Sequence, residues 1–329
     1  QRAELETGLR LAISQHDLQL IDGLKLLLQA ETDGQRSLQW IQTHKDAINR
    51  LLQTNGALLI RGLNVPSSNQ FGQLLMSLFG ESLIRYEYRS TPRTELRGNI
   101  YTATEYHADQ TIPQHSENAY ANSWAMRIGF LCTQPALSGG ATPIADNRII
   151  YQQIPAEIRE EFVRKGVMYV RNYANIDLPW QEVFQTQDRD QVAQYCAQNR
   201  IDCQWSDDDT LRTVQINPAV QIHPVTGDYL WFNQAHLYHL SNLSPEMQQS
   251  LLSLMPVDKL PKNTFFGDGS AIDPAYLAII RQLYIDHKVA FPWQKHDLLL
   301  LDNMLFTHGR EPYSGERQVL VGMTTPYGC

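Results

Sequence analysis

A chain of 329 residues with 43% hydrophobic content holds enough apolar material for a large core, built as one elaborated domain or two. Its formal net charge of -8, with no run of Lys/Arg, excludes a general nucleic-acid binder. No apolar stretch approaches bilayer length, and none of Cys132, Cys196, Cys203 and Cys329 forms a Cys-x-x-Cys pair, which argues against a zinc knuckle or a disulfide framework.

The expected setting is therefore cytoplasmic, with reduced thiols, no signal peptide and no membrane partner. Residues 4–30 carry leucines and isoleucines at helical spacing, and residues 38–52 do so again. Gly56-Ala-Leu-Leu-Ile-Arg61 reads as a buried strand, and residues 71–79 as a helix ending at Gly80. Residues 98–104 and 124–133 read as strands. Gly139-Gly140 marks a tight turn before Thr142-Pro-Ile-Ala-Asp146. A helix runs from Arg148 into Phe162, with Pro155 at a break or start.

The middle of the chain is polar, with a helix over 188–199 and the acidic turn Asp207-Asp208-Asp209. Strand-like pieces return at 213–221 and 229–232, joined through His223-Pro-Val-Thr-Gly227. Residues 245–254 and 274–287 read as helices, with proline and acid near each start. Phe265-Phe-Gly-Asp-Gly-Ser270 reads as a flexible turn and a lid, and Trp293 as a core residue. Apolar runs at 297–301 and 318–323 close the chain. Many short strands with helices outside suggest a distorted antiparallel barrel or sandwich, and no repeat or low-complexity linker divides it.

Three His-x-acid triplets occur. On a strand, residues i and i+2 point the same way and can share a metal; on a helix they lie about 200° apart and cannot. His44-Lys45-Asp46 falls in a helical pattern and reads as a solvated face. His107-Ala108-Asp109 stays open as a rival, only eight positions upstream of His115-Ser116-Glu117. The third triplet is favoured by three segments on its C-terminal side: the strand 124–133, then Gly139-Gly140-Ala-Thr142, and finally Asp302-Asn-Met-Leu-Phe-Thr-His308-Gly-Arg310 at the exit of an apolar strand. Two histidines and one carboxylate, with no fourth ligand, hold Fe(II) on one face and leave the other open to small molecules. A zinc hydrolase is disfavoured, since no His-Glu-x-x-His stands in the chain.

The segments Phe130 to Tyr151, His115-Ser-Glu117, Trp231-Phe-Asn-Gln-Ala-His236 and Asp302-Asn-Met…His308-Gly-Arg together resemble the taurine dioxygenase (TauD/TfdA) superfamily of Fe(II)/2-oxoglutarate oxygenases. Within it they are most similar to the branch found beside nonribosomal peptide synthetases, typified by the syringomycin-type aspartyl hydroxylase. The resemblance spans about residues 100–323. It implies a mixed α/β, mainly β fold: a double-stranded β-helix (jelly-roll) core with surrounding helices. The single domain would comprise an N-terminal elaboration over 1–97, the core over 98–171 and 210–329, and a substrate-covering insertion within about 172–268, its lid assigned to 172–209.

By the same resemblance His115, Glu117 and His308 are the iron ligands, and Fe(II), 2-oxoglutarate and O2 are the cofactor and cosubstrates. Thr142, 27 positions after His115, holds one end of 2-oxoglutarate, and Arg317 pairs with its far carboxylate. The family's arginine usually lies ten or more residues past the distal histidine, whereas Arg317 lies nine past His308 and Arg310 two past; a shorter loop reconciles the difference. A glutamate at 117 fills the position that iron halogenases of this broad class leave for chloride, which favours hydroxylation. The implied reaction is hydroxylation of an aliphatic C–H in an amino acid or amino-acid-derived substrate, free or tethered to a peptidyl carrier protein. Desaturation, epoxidation or cyclisation with the same cofactors is the alternative, and a non-catalytic metal-binding jelly-roll protein the rival from another class. Asn118, Asn233, His236 and His239 are expected near the substrate, with Tyr101, Glu105, Asp109 and Gln110 at the entrance. Arg127, Arg148 and Arg171 are candidate anchors for a substrate carboxylate or phosphate.

Overall fold

The structure, a computed structural model, describes residues 4–6, 9–11, 27–85, 96, 98–103, 106–174 and 176–328. Its architecture is mixed α/β, with a main sheet of eight strands. In spatial order these are β1 (Glu4–Glu6), β2 (Leu9–Leu11), β3 (Leu27–Ala30), β4 (Ala57–Arg61), β16 (Leu298–Asp302), β7 (Ser123–Gln134), β19 (Gln318–Gly328) and β5 (Tyr101–Thr102). All neighbours are antiparallel except β3 and β4. The helical spacing read in residues 4–30 is therefore overturned wherever that stretch is described. Leu27, Leu28 and Ala30 are buried on a strand, because pairing with β4 gives their side chains a sheet to pack on.

The run Leu298–Asp302 shows why this sheet reads as continuous apolar sequence. Leu299 and Leu301 enter the core that also holds Ile128, Phe130, Val321 and Phe306. Leu298 and Leu300 point the other way, into a second core with Leu58 and Ile60. A strand buried on both faces has no polar side to alternate with. Helices α1 (Ser37–Asn55) and α2 (Ser68–Phe79) cover the second face through Trp40, Ile48, Phe71 and Leu75. Ser67 caps the start of α2 by accepting from the Gln70 N–H, and Gly80 ends it in the left-handed region. His44, expected on a solvated face of α1, is instead buried with its ring 4.7 Å from Trp40, while Asp46 is exposed.

Against the first core lies a three-stranded sheet, β6 (Ile112–His115), β17 (Phe306–Arg310) and β9 (Ile144–Asp146), with β17 in the middle. Strand β8 (Ser138–Gly139) pairs with β18 (Tyr313–Ser314) beside it. A further four-stranded sheet runs β11 (Asp202–Trp205), β12 (Leu211–Asn217), β10 (Val167–Tyr173) and β15 (Lys262–Phe266). The hairpin of β13 (Val220–Ile222) and β14 (Tyr229–Trp231) adjoins it. Helices α3 (Asn147–Gln153) and α4 (Ala156–Lys165), parted at Pro155, pack on this half, as do α5 (Trp180–Phe184) and α6 (Arg189–Gln198). The short helix α7 (Ala235–Tyr238) and the long α9 (Pro274–Asp286) complete it. Helix α8 (Pro245–Leu254) has no buried residue.

The expected lid at 265–270 is a tight turn. Phe266 ends β15, and the Ser270 N–H and hydroxyl both bind Asp268, which closes the chain back against Gly166. The described cysteines, Cys132, Cys196 and Cys203, are free thiols. Among the described residues no helix is long and apolar enough to cross a membrane.

Candidate metal and cosubstrate site

Strand pairing builds the site. His308 on β17 sits directly opposite His115 on β6, and opposite Ile144 on its other edge. Facing residues of an antiparallel pair have neighbouring side chains, and the two imidazole centroids lie 4.5 Å apart. Gly309 permits the close pairing: a Cβ there would fall 2.6 Å from the Ile112 carbonyl oxygen. His115 is the last residue of β6, so the strand rule reaches it but not Glu117, which lies in the turn beyond the strand. Glu117 is aimed instead by Asn303, whose amide accepts from the Glu117 N–H and donates to its carbonyl.

The three side chains converge. Glu117 Oε1 is 3.2 Å from His308 Nε2 and 3.5 Å from His115 Nε2. His115 Nδ1 lies 2.8 Å from the Pro113 carbonyl, which can only accept, so Nδ1 carries the proton and Nε2 offers its lone pair inward. Ligand atoms of all three residues fall within 4.8 Å of one another, the sole such metal-ligating group among the described residues. His107 and Asp109 are exposed on a turn outside it, so the geometry brings together the third triplet and His308 and not the rival upstream.

A small cavity beside this group is lined by His115, His308, Phe130, Thr142, Arg310 and Arg317, among others. The buried Thr142 accepts from Arg317 Nη2 at 3.1 Å and from the Trp293 indole N–H at 3.0 Å. Two donors occupy its lone pairs, so its own O–H is left to donate outward. Trp293 is both core and part of this site, a role its sequence context did not signal. Arg317 donates through Nε to the Gly140 carbonyl, and no carboxylate among the described residues pairs with it. Burial, and then the nearby Arg310, push the guanidinium down to about 10, which leaves it cationic at neutral pH. Gly140, at φ +77°, is needed here because a Cβ would meet Arg317 Cδ at 3.0 Å. Arg310 is already engaged: it donates to the carbonyls of Tyr106, His107 and Gln110 and fixes that turn.

Two imidazoles and one carboxylate suit Fe(II) with open positions. A buried cation beside an outward-donating hydroxyl suits the far carboxylate of a dicarboxylic keto acid. The residues present thus fit both groups.

A second cavity, of about 470 Å³, meets the first at His115 and Ile112. Its wall comes from residues 106–115, 234–247 and Lys262, with Gln110 and Gln234 among the polar groups. No described residue of 172–209 lines it. Of the described residues expected near the substrate or at its entrance, Gln110 lines this cavity and the others do not. Tyr101 is buried in the core on β5. Asn118 takes a positive φ of 56° in the turn after Glu117 and accepts from the Tyr120 hydroxyl. Asn233 binds Ala219 and Ala235 through its amide, and His236 is buried with its ring stacked on Tyr284. His239 caps the turn at Ser241. Asn233, His236 and His239 brace the loop behind Gln234, which reaches the Ser116 carbonyl at 2.9 Å. Arg148 is paired with Asp146, Arg127 stands beside Asp302 on the neighbouring strand, and Arg171 is buried over Tyr173. Glu105 lies outside the described residues.

Comparison with known proteins agrees with this geometry. The chain is 42% identical over 280 residues to the dapdiamide synthesis protein DdaC of Enterobacter agglomerans, covering 85% of each. It is 28% identical over 298 residues to the clavaminate synthase-like protein At3g21360 of Arabidopsis thaliana, covering 87% of this chain and 86% of that one. PvcB, described as an Fe, alpha-ketoglutarate dependent oxygenase from an isonitrile synthetic pathway, shares the fold at a TM-score of 0.56 and 15% identity, over 98% of this chain and 94% of its own. The model of the taurine catabolism dioxygenase TauD, TfdA family matches residues 20–324, and the chain belongs to that family.

Proposed function

We propose that this protein is an Fe(II)- and 2-oxoglutarate-dependent dioxygenase that hydroxylates an aliphatic C–H of an amino acid or amino-acid-derived substrate in specialised peptide metabolism. The observation that carries the reading is the adjacency of the two cavities: His115 belongs to both, so whatever fills the larger one abuts the metal-ligating group. Similarity to a dapdiamide synthesis protein supports the substrate class. The main sheet packed over the β6–β17–β9 sheet is read as the two halves of a double-stranded β-helix.

In this reading His115, Glu117 and His308 hold the iron, and Thr142 and Arg317 hold 2-oxoglutarate. Together with dioxygen, those groups supply the oxidising power for an unactivated C–H. The protein's own part is positional. Pro113 fixes the His115 tautomer, and Asn303 fixes the Glu117 backbone. Phe130, whose ring centroid is 4.9 Å from that of His308, keeps that side of the site apolar. The turn pinned by Arg310 and the segment 237–247 shield the substrate side, and a carrier-tethered substrate would enter between them.

Anaerobic optical titration of the protein with Fe(II) and then 2-oxoglutarate tests the reading. A weak visible charge-transfer band is expected only when both are present. Iron uptake with no such band would remove 2-oxoglutarate from the site and the oxygenase reading with it. Product analysis then separates hydroxylation from desaturation, epoxidation or cyclisation.

A further inference from the structure

The larger cavity holds one feature that the iron and 2-oxoglutarate chemistry does not use. Among the described residues lining it, Lys262 is the single Lys, Arg, Asp or Glu; the rest are apolar or neutral polar, His115 apart. Lys262 lies on β15 in register with Arg171 on β10. Both cations approach Asp177, whose Oδ2 is 3.4 Å from Lys262 Nζ and 3.8 Å from Arg171 Nη2. Asp177 Oδ1 is taken by the Leu178 N–H. The Tyr238 ring lies beneath both cations, 5.0 Å from Lys262 Nζ and 5.8 Å from the Arg171 guanidinium carbon, and it too lines the cavity.

Lys262 thus stands at one wall of the cavity, with Arg171 and the carboxylate of Asp177 packed beside it. The Lys262 side chain is one-quarter exposed, whereas that of Arg171 is sealed in the core. The positive charge is therefore presented to the cavity through the ammonium group. A cation in a partly dry wall favours an anionic ligand, because the charge-assisted contact replaces hydration already given up. Burial, and then repulsion by Arg171, hold Lys262 down to about 8, in keeping with two cations held side by side.

We infer that Lys262, supported by Arg171, is the receptor for a carboxylate of the substrate, held in the cavity that adjoins His115. The substrate class is thereby narrowed to anionic amino-acid derivatives whose carboxylate is free, with the neutral amide groups of Gln110, Gln234 and Asn242 facing the remainder. This rests on the function proposed above for its identification of the cavity as the substrate site.

The test is calorimetric titration of the protein, with 2-oxoglutarate saturating, against a panel of N-acetyl amino acids, each offered as the free carboxylate and as its primary amide. At least one carboxylate should bind about tenfold more tightly than its amide. Lys262→Met should erase that preference and Lys262→Arg should keep it. Lys262→Gln serves the same purpose if methionine disturbs packing on Tyr238. No preferred carboxylate in the panel, or a preference that survives both neutral variants, overturns the assignment. The optical band with Fe(II) and 2-oxoglutarate should be intact in every Lys262 variant. Its absence in the wild type sinks the oxygenase reading and leaves the carboxylate comparison standing by itself.

Discussion

Asn303 and Glu117 are joined by a reciprocal pair of hydrogen bonds: the Glu117 N–H donates to Asn303 Oδ1 at 2.8 Å, and Asn303 Nδ2 donates to the Glu117 carbonyl at 3.0 Å. The same amide also reaches the Ala125 carbonyl at 2.9 Å. One fully buried side chain therefore ties the turn after β6 to the turn before β17, the two segments that bring the carboxylate and the distal histidine together. Asn303→Ala should strand these buried backbone groups, at a cost of about 1–3 kcal/mol. It should also weaken metal binding by about 10–100-fold, the usual consequence of losing a group that orients a ligand. Thermal unfolding and equilibrium dialysis against Fe(II) measure the two effects. An unchanged metal affinity would show that Glu117 is aimed by something else.

His115→Ala and His107→Ala make a direct comparison. Only the first removes a member of the converging group, so it should abolish tight iron binding while His107→Ala leaves it unaltered. Loss of iron binding in His107→Ala would place the site at the upstream triplet instead.

Trp293→Phe keeps an aromatic ring, though a smaller one, and removes the hydrogen bond to Thr142. The Thr142 hydroxyl is then freer to turn, and the KM for 2-oxoglutarate should rise about 3–10-fold, as expected for one lost hydrogen bond. Arg317→Met removes the buried cation and should raise it about 100-fold or more. In both, iron affinity in the absence of 2-oxoglutarate should stay near the wild-type value. A fall in metal affinity equal to the effect on KM would mean the residues act on the fold of the site rather than on the cosubstrate.

Acid stability carries a definite sign. Burial, and then Arg281 and His115, push His236 down to about 3, so it is neutral in the folded protein while its unfolded form titrates near 6.5. Between those values the unfolded chain binds the extra proton. Stability present above pH 6.5 is therefore lost as the pH falls toward 3, at up to about 1.4 kcal/mol per pH unit from this group. His239, held down to about 4 by burial and Arg281, acts in the same direction. His236→Phe preserves a ring against Tyr284 and should flatten the pH dependence of the urea midpoint between pH 6.5 and pH 4. A variant with the wild-type slope would assign the acid sensitivity to other groups.

Chemistry and local structure were legible in the sequence where a short pattern determines its own geometry. The apolar runs at 57–60 and 298–301 read as buried strands and Gly80 as the end of a helix, and the structure has each of them so. The family resemblance carried by the segments around His115, Tyr151, Trp231 and His308 pointed to the chemistry, and the family match over residues 20–324 agrees with it. Tertiary structure decided the rest, because the deciding contacts join residues far apart in the chain. His115 faces His308 across a register that spacing does not encode. Trp293 reaches Thr142 across 151 positions and Asn303 reaches Glu117 across 186, and neither sits in a local motif. The resemblance put residues 231–239 near the pocket, and Gln234 and Tyr238 do line the larger cavity, whereas Asn233 and His236 are buried behind it, since a loop threading the core must satisfy its own buried backbone. Lys262 gave no local signal, for its meaning comes from Arg171, Asp177 and a cavity that exists only once β10, β15 and α7 are packed together.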